Sequence, residues 1–150
     1  MSMRIFKAGC DRGTVATEFA FVVPILFFAL VAVSDLALAW WVAGQLSNGA
    51  RAGVQYALSN SSDASGISAA VRNAGIGDGV TSSPSFSVAS RRFCECAGEG
   101  EVSCGSGCAS GDPSRMFVEV TANVTYLPLF PYPVLGDALP LSGSAVLQVQ

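Results

Sequence analysis

The residues able to do chemistry fall into two clusters. The first is Glu18, which opens the apolar run AFVVPILFF, with Gly13 five positions before it. A carboxylate entering a bilayer is costly unless it is paired, so Glu18 calls for a cationic partner. Taken alone it could equally snorkel to the interface or favour the positive N-terminus of a helix. The second cluster is Cys94, Cys96, Cys104 and Cys108, four of the five cysteines, inside a Gly/Ser-rich stretch. An even number of closely spaced thiols can close two disulfides in an oxidising compartment. As thiolates they could instead hold zinc, but C-x-C followed by C-x-x-x-C departs from paired C-x-x-C knuckles, and the disulfide reading is favoured.

Other chemistry is poorly supplied. Histidine is absent, which excludes histidine bases, triads and imidazole metal sites. The acids Asp63, Asp78, Glu95, Glu99, Glu101, Asp112, Glu119 and Asp137 show no local pairing on one structured face, and Glu95, Glu99 and Glu101 read as a solvated rim. Gly98, Gly100, Gly105 and Gly107 lack the strand, lysine and helix of a phosphate loop. No catalytic constellation, cofactor or metal is expected. Eight scattered basic residues and a net charge of −3 argue against a nucleic-acid footprint.

The element that must position Glu18 is apolar and long. Residues 15–43 read VATEFAFVVPILFFALVAVSDLALAWWVA, more than the roughly 20 apolar residues that span a bilayer as a helix. Arg4, Lys7 and Arg12 against Asp11 put positive charge before it, which places the N-terminus in the cytoplasm. Asp35 lies about 32 Å along a helix from Thr14, so water or headgroups on the far side are its expected surroundings. Trp40 and Trp41 fall slightly further out, at headgroup level. Pro24 removes one helical hydrogen bond and should kink or loosen the helix. A secretory signal could instead end at Ala37-Leu38-Ala39 before Trp40, though Glu18 would then open its apolar core. A lipoprotein site at Cys10 fails, because no apolar run precedes it.

The string RGTVATEF, residues 12–19, resembles the prepilin-peptidase site of type IV pilin-like proteins. With FAFVVPILFF, NGARAGVQYAL and the cysteine-bearing C-terminal part, the chain is most similar to the TadE-like minor pilins (pseudopilins) of the bacterial tight-adherence, or Flp pilus, machinery. The resemblance implies a leader at residues 1–13 ending in Gly13, cleavage before Thr14, and loss of Cys10 with the leader. It implies that Glu18, fifth in the mature chain, meets the N-terminal amine of a neighbouring subunit. That pair would gain from a low dielectric, setting register more than net stability. The implied partners are the prepilin peptidase, the inner-membrane assembly platform with its ATPase, the major pilin, other minor pilins and the lipid bilayer. The implied place is the inner membrane, single-pass, with a periplasmic head that can enter a surface pilus. The implied role is pilus assembly and adhesion without enzymatic activity; a single-pass or secreted disulfide-bonded binding module is the alternative.

The rest of the chain suits such a head. Residues 14–58 form the transmembrane and amphipathic helix, in which Leu46, Ala50, Val54 and Ala57 recur at helical spacing. Gly49, Ala50 and Gly53 permit close approach of a sheet. Residues 59–150 form the head. Asp63 caps a second helix over 64–74 with Ile67, Ala70 and Val71 on one face, and residues 75–84 read as loop. Strand alternation marks 85–93, 116–126 and 141–149; Val118, Val120, Ala122, Val124 and Tyr126 share one face of the second. The apolar loop 127–135, with Phe130 and Tyr132, is expected either to pack over the sheet edge, which is favoured, or to make contacts. In the Cys loop, 94–108, Cys94 and Cys96 point too similarly to join each other. The nested pairing Cys94–Cys108 with Cys96–Cys104 is expected because it suits a hairpin. The fold class is α+β and type IV pilin-like, a long helix followed by a short one and a small antiparallel sheet.

Overall fold

The computed structural model describes residues 12–130 and 136–149, with side chains from residue 16 onward. Residues 1–11 of the expected leader, Cys10 among them, and Tyr132 lie outside the described residues. The elements are α1 (Arg12–Ala57), α2 (Ala64–Arg72), α3 (Asp78–Thr81), β1 (Ser87–Cys96), β2 (Gly100–Val102), β3 (Arg115–Tyr126) and β4 (Leu139–Val149). The four strands form one sheet in the order β2-β1-β3-β4, every pair antiparallel. The α+β layout with a long N-terminal helix is thus the one the sequence predicts.

The chain divides into two compact units, Met1–Ala37 and Leu38–Gln150. In the first, α1 is apolar on every side: Phe19, Phe21, Ile25 and Leu30 are all exposed, although they point in different directions at 3.6 residues per turn. Helix α1 contains a run long and apolar enough to cross a membrane once. Pro24 sits inside α1. Asp35 corrects an expectation. It is not turned to water or headgroups but is 2% exposed. A carboxylate so buried must be partnered, and Asp35 is not free.

The second unit packs around the later turns of α1. Ala39, Val42, Leu46, Ala50, Val54 and Ala57 are buried, three and four residues apart, which is one face of a helix. They meet the inward face of β3, where Val118, Val120, Ala122 and Val124 are buried in alternation. In β4, Gly143 and Val149 are buried while Leu141, Ala145 and Leu147 are partly so, all on one face of the strand. Pro140 is tolerated because β4 lies at the edge of the sheet.

Two glycines set how close helix and sheet come. A Cβ on Gly53 would lie 2.7 Å from Val71 Cγ2 and 3.0 Å from Val120 Cγ1. A Cβ on Gly143 would collide with the backbone of Leu46 and Ser47. The first contact can yield by side-chain movement; the second cannot, since it is main chain against main chain.

Helix α2 is held at its start by Asp63. The Asp63 carboxylate accepts hydrogen bonds from the Ser65 hydroxyl (2.6 Å), the Gly66 N–H (3.0 Å) and the Tyr56 hydroxyl (3.0 Å). Its pKa is therefore lowered, first by Ser65, then by the Gly66 N–H and Tyr56. Ile67 and Val71 are buried, and Arg72 lies 4.7 Å over the ring of Phe86. The helix stops at Arg72 rather than at residue 74. The stretch 75–84 is not all loop: α3 makes a single turn there, steadied by the Gly77 N–H donating to Gln45 Oε1 at 3.1 Å.

Gly143→Ala is expected to destabilise the protein by about 1–3 kcal/mol through overpacking against backbone. Gly44→Ala, where a Cβ meets nothing within 4 Å, should be neutral or stabilising by about 0.5–1 kcal/mol. Denaturant titration of both variants in detergent measures the contrast. Asp63→Ala should lower stability at neutral pH. Because the folded pKa of Asp63 is lowered, its contribution is complete above the ordinary carboxylate pKa and fades as pH falls through the folded value. Melting curves of variant and parent should therefore converge in acid.

Candidate functional site

The N-terminal cluster lies along the first turns of α1. Gly13 and Thr14 are in the first turn, and Glu18 follows one turn later with an exposed side chain. Positions 14 and 18 are about 6 Å apart along the axis. The next ionisable side chain on α1 is Asp35, about 26 Å further along. Among the described side chains, Glu18 is therefore an acid set on an exposed and largely apolar helical surface. Pro24, six residues on, cannot donate to the carbonyl of Ala20.

The cysteine cluster is brought together by the β1–β2 hairpin. All four thiols are oxidised, but the pairing is Cys94–Cys104 and Cys96–Cys108, not the nested one. Register explains the difference. Val102 stands opposite Cys94 and Gly100 opposite Cys96. Cys104 lies four residues past Gly100, about 13 Å along an extended chain, far beyond the reach of a disulfide to Cys96. It lies only two residues past Val102, and its Cα is 5.1 Å from that of Cys94. The chain then turns back. Ser106 donates its N–H to the Ser103 carbonyl at 3.1 Å and Cys108 donates to the Asp112 carbonyl at 3.1 Å, which returns Cys108 to Cys96, Cα to Cα 5.7 Å. With both pairs closed, a four-thiolate zinc site has no free ligands. A cavity of about 780 Å³ opens beside the bridges, lined by Cys104, Ser106, Asp112, Arg115 and Gln148 among others.

Sequence reasoning missed a charged cluster on the outward face of the sheet. Arg91 stands opposite Glu119 in the β1–β3 ladder. Its Nε donates to Glu119 at 2.5 Å and its Nη1 to Glu101 at 3.1 Å. Arg91 also covers Phe93 at 4.7 Å, and Phe93 stacks on Phe117 at 5.5 Å. Glu101 is thus paired rather than part of a loose acidic rim, and Glu99 accepts the Ala109 N–H at 3.2 Å. The signal was cross-strand register, which depends on where the hairpins turn. Both acids are committed to a cation or a loop amide, so the cluster is structural and not an acid–base pair.

The loop after β3 also departs from expectation. Leu127 and Leu129 are exposed, and Phe130 is 50% exposed. The described part of this loop does not pack over the sheet edge.

Residues 13–55 match the family model for TadE-like protein. The match begins at Gly13 and runs to within two residues of the end of α1. It bears out the TadE-like resemblance over these residues, and this segment of the chain is TadE-like. The TadE-like family is associated with the Tad pilus and is a family of pilus components. No curated protein and no solved structure matches the chain significantly.

Non-reducing peptide mapping should recover Cys94 linked to Cys104 and Cys96 linked to Cys108. Opening either bridge by a paired Cys→Ser substitution is expected to cost about 3 kcal/mol, as for loops of this length. Recovery of a Cys94–Cys108 peptide would reverse the register argument.

Proposed function

From a TadE-like segment that starts at Gly13, we propose that the chain is a minor pilin, or pseudopilin, of a Flp-type tight-adherence pilus. A prepilin peptidase would cut between Gly13 and Thr14 at the cytoplasmic face of the inner membrane. Glycine before the scissile bond lets the extended chain enter an intramembrane active site closely. The new amine on Thr14 is cationic or nearly so at neutral pH. In an apolar bundle it would seek the exposed Glu18 of a neighbouring subunit, a pairing that fixes axial register. The head would stand in the periplasm, where its two disulfides suit an oxidising compartment.

The work of such a subunit is organisational. The apolar surface of α1 gives lateral packing with the major pilin, other minor pilins and the assembly platform with its ATPase. The head offers a surface for assembly and adhesion. The observation that carries this reading is the family match beginning at the residue where a leader would end, with an acid five positions later on an otherwise apolar helix. A secreted or plainly anchored disulfide-bonded module is the competing possibility, and the N-terminus of the mature protein separates them.

N-terminal sequencing of membrane-extracted protein should yield Thr14. Trp40 would indicate secretion, and Met1 or Ser2 from cells with an active peptidase would indicate an uncut anchor. Gly13→Asp should leave the leader attached. Glu18→Ala should be cut normally yet reduce piliation at least about tenfold, the effect of losing on the order of 1.4 kcal/mol per assembly step. Normal pilus numbers in that variant would remove the pairing role.

A further inference from the structure

We infer that the loop following β3 is a second membrane contact: Leu127, Leu129 and Phe130 rest, with Trp40 and Trp41, in the headgroup layer of the bilayer that anchors the chain. The inference rests on the reading of α1 as a membrane-spanning helix and adds a lipid-facing surface to the head.

The geometry comes from the second unit alone. Two contacts fix how β3 runs past α1. Val120 faces Gly53, and Gly143, the ladder partner of Ala122, faces Leu46 and Ser47. The strand therefore advances toward the start of this unit, antiparallel to the helix. Leu127 lies five residues past Ala122, about 17 Å along a strand. Trp40 lies six residues before Leu46, about 9 Å along a helix. The loop thus reaches at least as far as the two tryptophans, at the end of the unit where the apolar run enters.

Composition points to lipid as the occupant. Residues 127–130 are Leu-Pro-Leu-Phe and carry no charge. Leu127 is 70% exposed, Leu129 69% and Trp40 84%, large apolar side chains left open at this end of the unit. Tryptophan pairs beside a membrane-spanning run settle at the interface, and an apolar loop that reaches several ångströms further than they do gains by burial at the headgroup and acyl boundary.

The test uses the full chain in vesicles of phosphatidylethanolamine and phosphatidylglycerol. Benzoylphenylalanine is placed in turn at Phe130, at Trp40 and at Val146, the last being exposed on the outward face of the sheet. After irradiation, lipid adducts at position 130 should equal those at 40 and exceed those at 146 by about an order of magnitude. Leu127→Ser with Leu129→Ser should lower the adducts at 130 while both disulfides remain intact, which shows that the head is still folded. Adducts at 130 no more abundant than at 146 would overturn the proposal while leaving the anchor intact, provided the chain floats with the vesicles. Cross-links from 130 to a second copy of the chain would overturn it in favour of a subunit contact. Failure to float would overturn it together with the membrane-spanning reading of α1.

Discussion

The head is built against one stripe of small and apolar side chains on the later turns of α1. Leu46, Ala50 and Ala57 have no exposed surface, and the glycine at 53 lies against Val71 and Val120. Because Gly143 meets helix backbone directly, the sheet has no room to slide along or away from α1. The side-chain period of a strand is two, so one residue of slip would turn Val118, Val120 and Ala122 outward. Close helix–sheet contact therefore fixes the register of β3. Through β3, which has a long ladder on each side, it fixes β1 and β4 as well.

Two carboxylates on the same helix meet opposite fates for reasons of phase and surroundings. Asp35 lies on the buried stripe. Glu18 lies 17 positions earlier, about 100° around the helix from it, on a stretch where the described side chains from residue 16 to 30 are exposed. A buried acid inside one chain must be satisfied there, so Asp35 is a structural element of the monomer. An exposed acid on an apolar surface is costly in hydrocarbon until something outside the chain pairs with it.

The parts of the fold that depend on local periodicity were legible in the sequence. The stripe Leu46, Ala50, Val54 and Ala57, the alternation through Val118–Val124 and the cap at Asp63 each arise from neighbours within a few residues. What was missed depends on distant partners. Asp35 could be placed by length along the helix but not by the face it shares with Ala39 and Val42 unless that face was known to be covered. The crossed disulfides and the Arg91–Glu119–Glu101 cluster both follow from the turn between β1 and β2, whose short strand Gly100–Val102 carries no alternation long enough to read. The Gly13–Glu18 spacing was legible for a different reason, since it is read as a linear string, and the TadE-like match begins at Gly13.

The position of the disulfides follows from where α1 ends. Val120 is level with Gly53, and Ala57 is only four residues further, about 6 Å. Met116, opposite Cys94, is four strand residues beyond Val120, about 13 Å. The β1–β2 end of the sheet therefore extends past the last turn of the helix, where no apolar stripe covers it. A sheet left bare at one end would fray, because its ladder hydrogen bonds would face water and its core would be one layer thin. Cys94, Cys96 and Cys108 are buried in the place helix side chains would otherwise fill. The covalent bridges limit the unfolded chain where burial alone gives little. Within this unit, core packing thus holds the part of the sheet that lies against Leu46–Ala57, and cross-links hold the β1–β2 end beyond it.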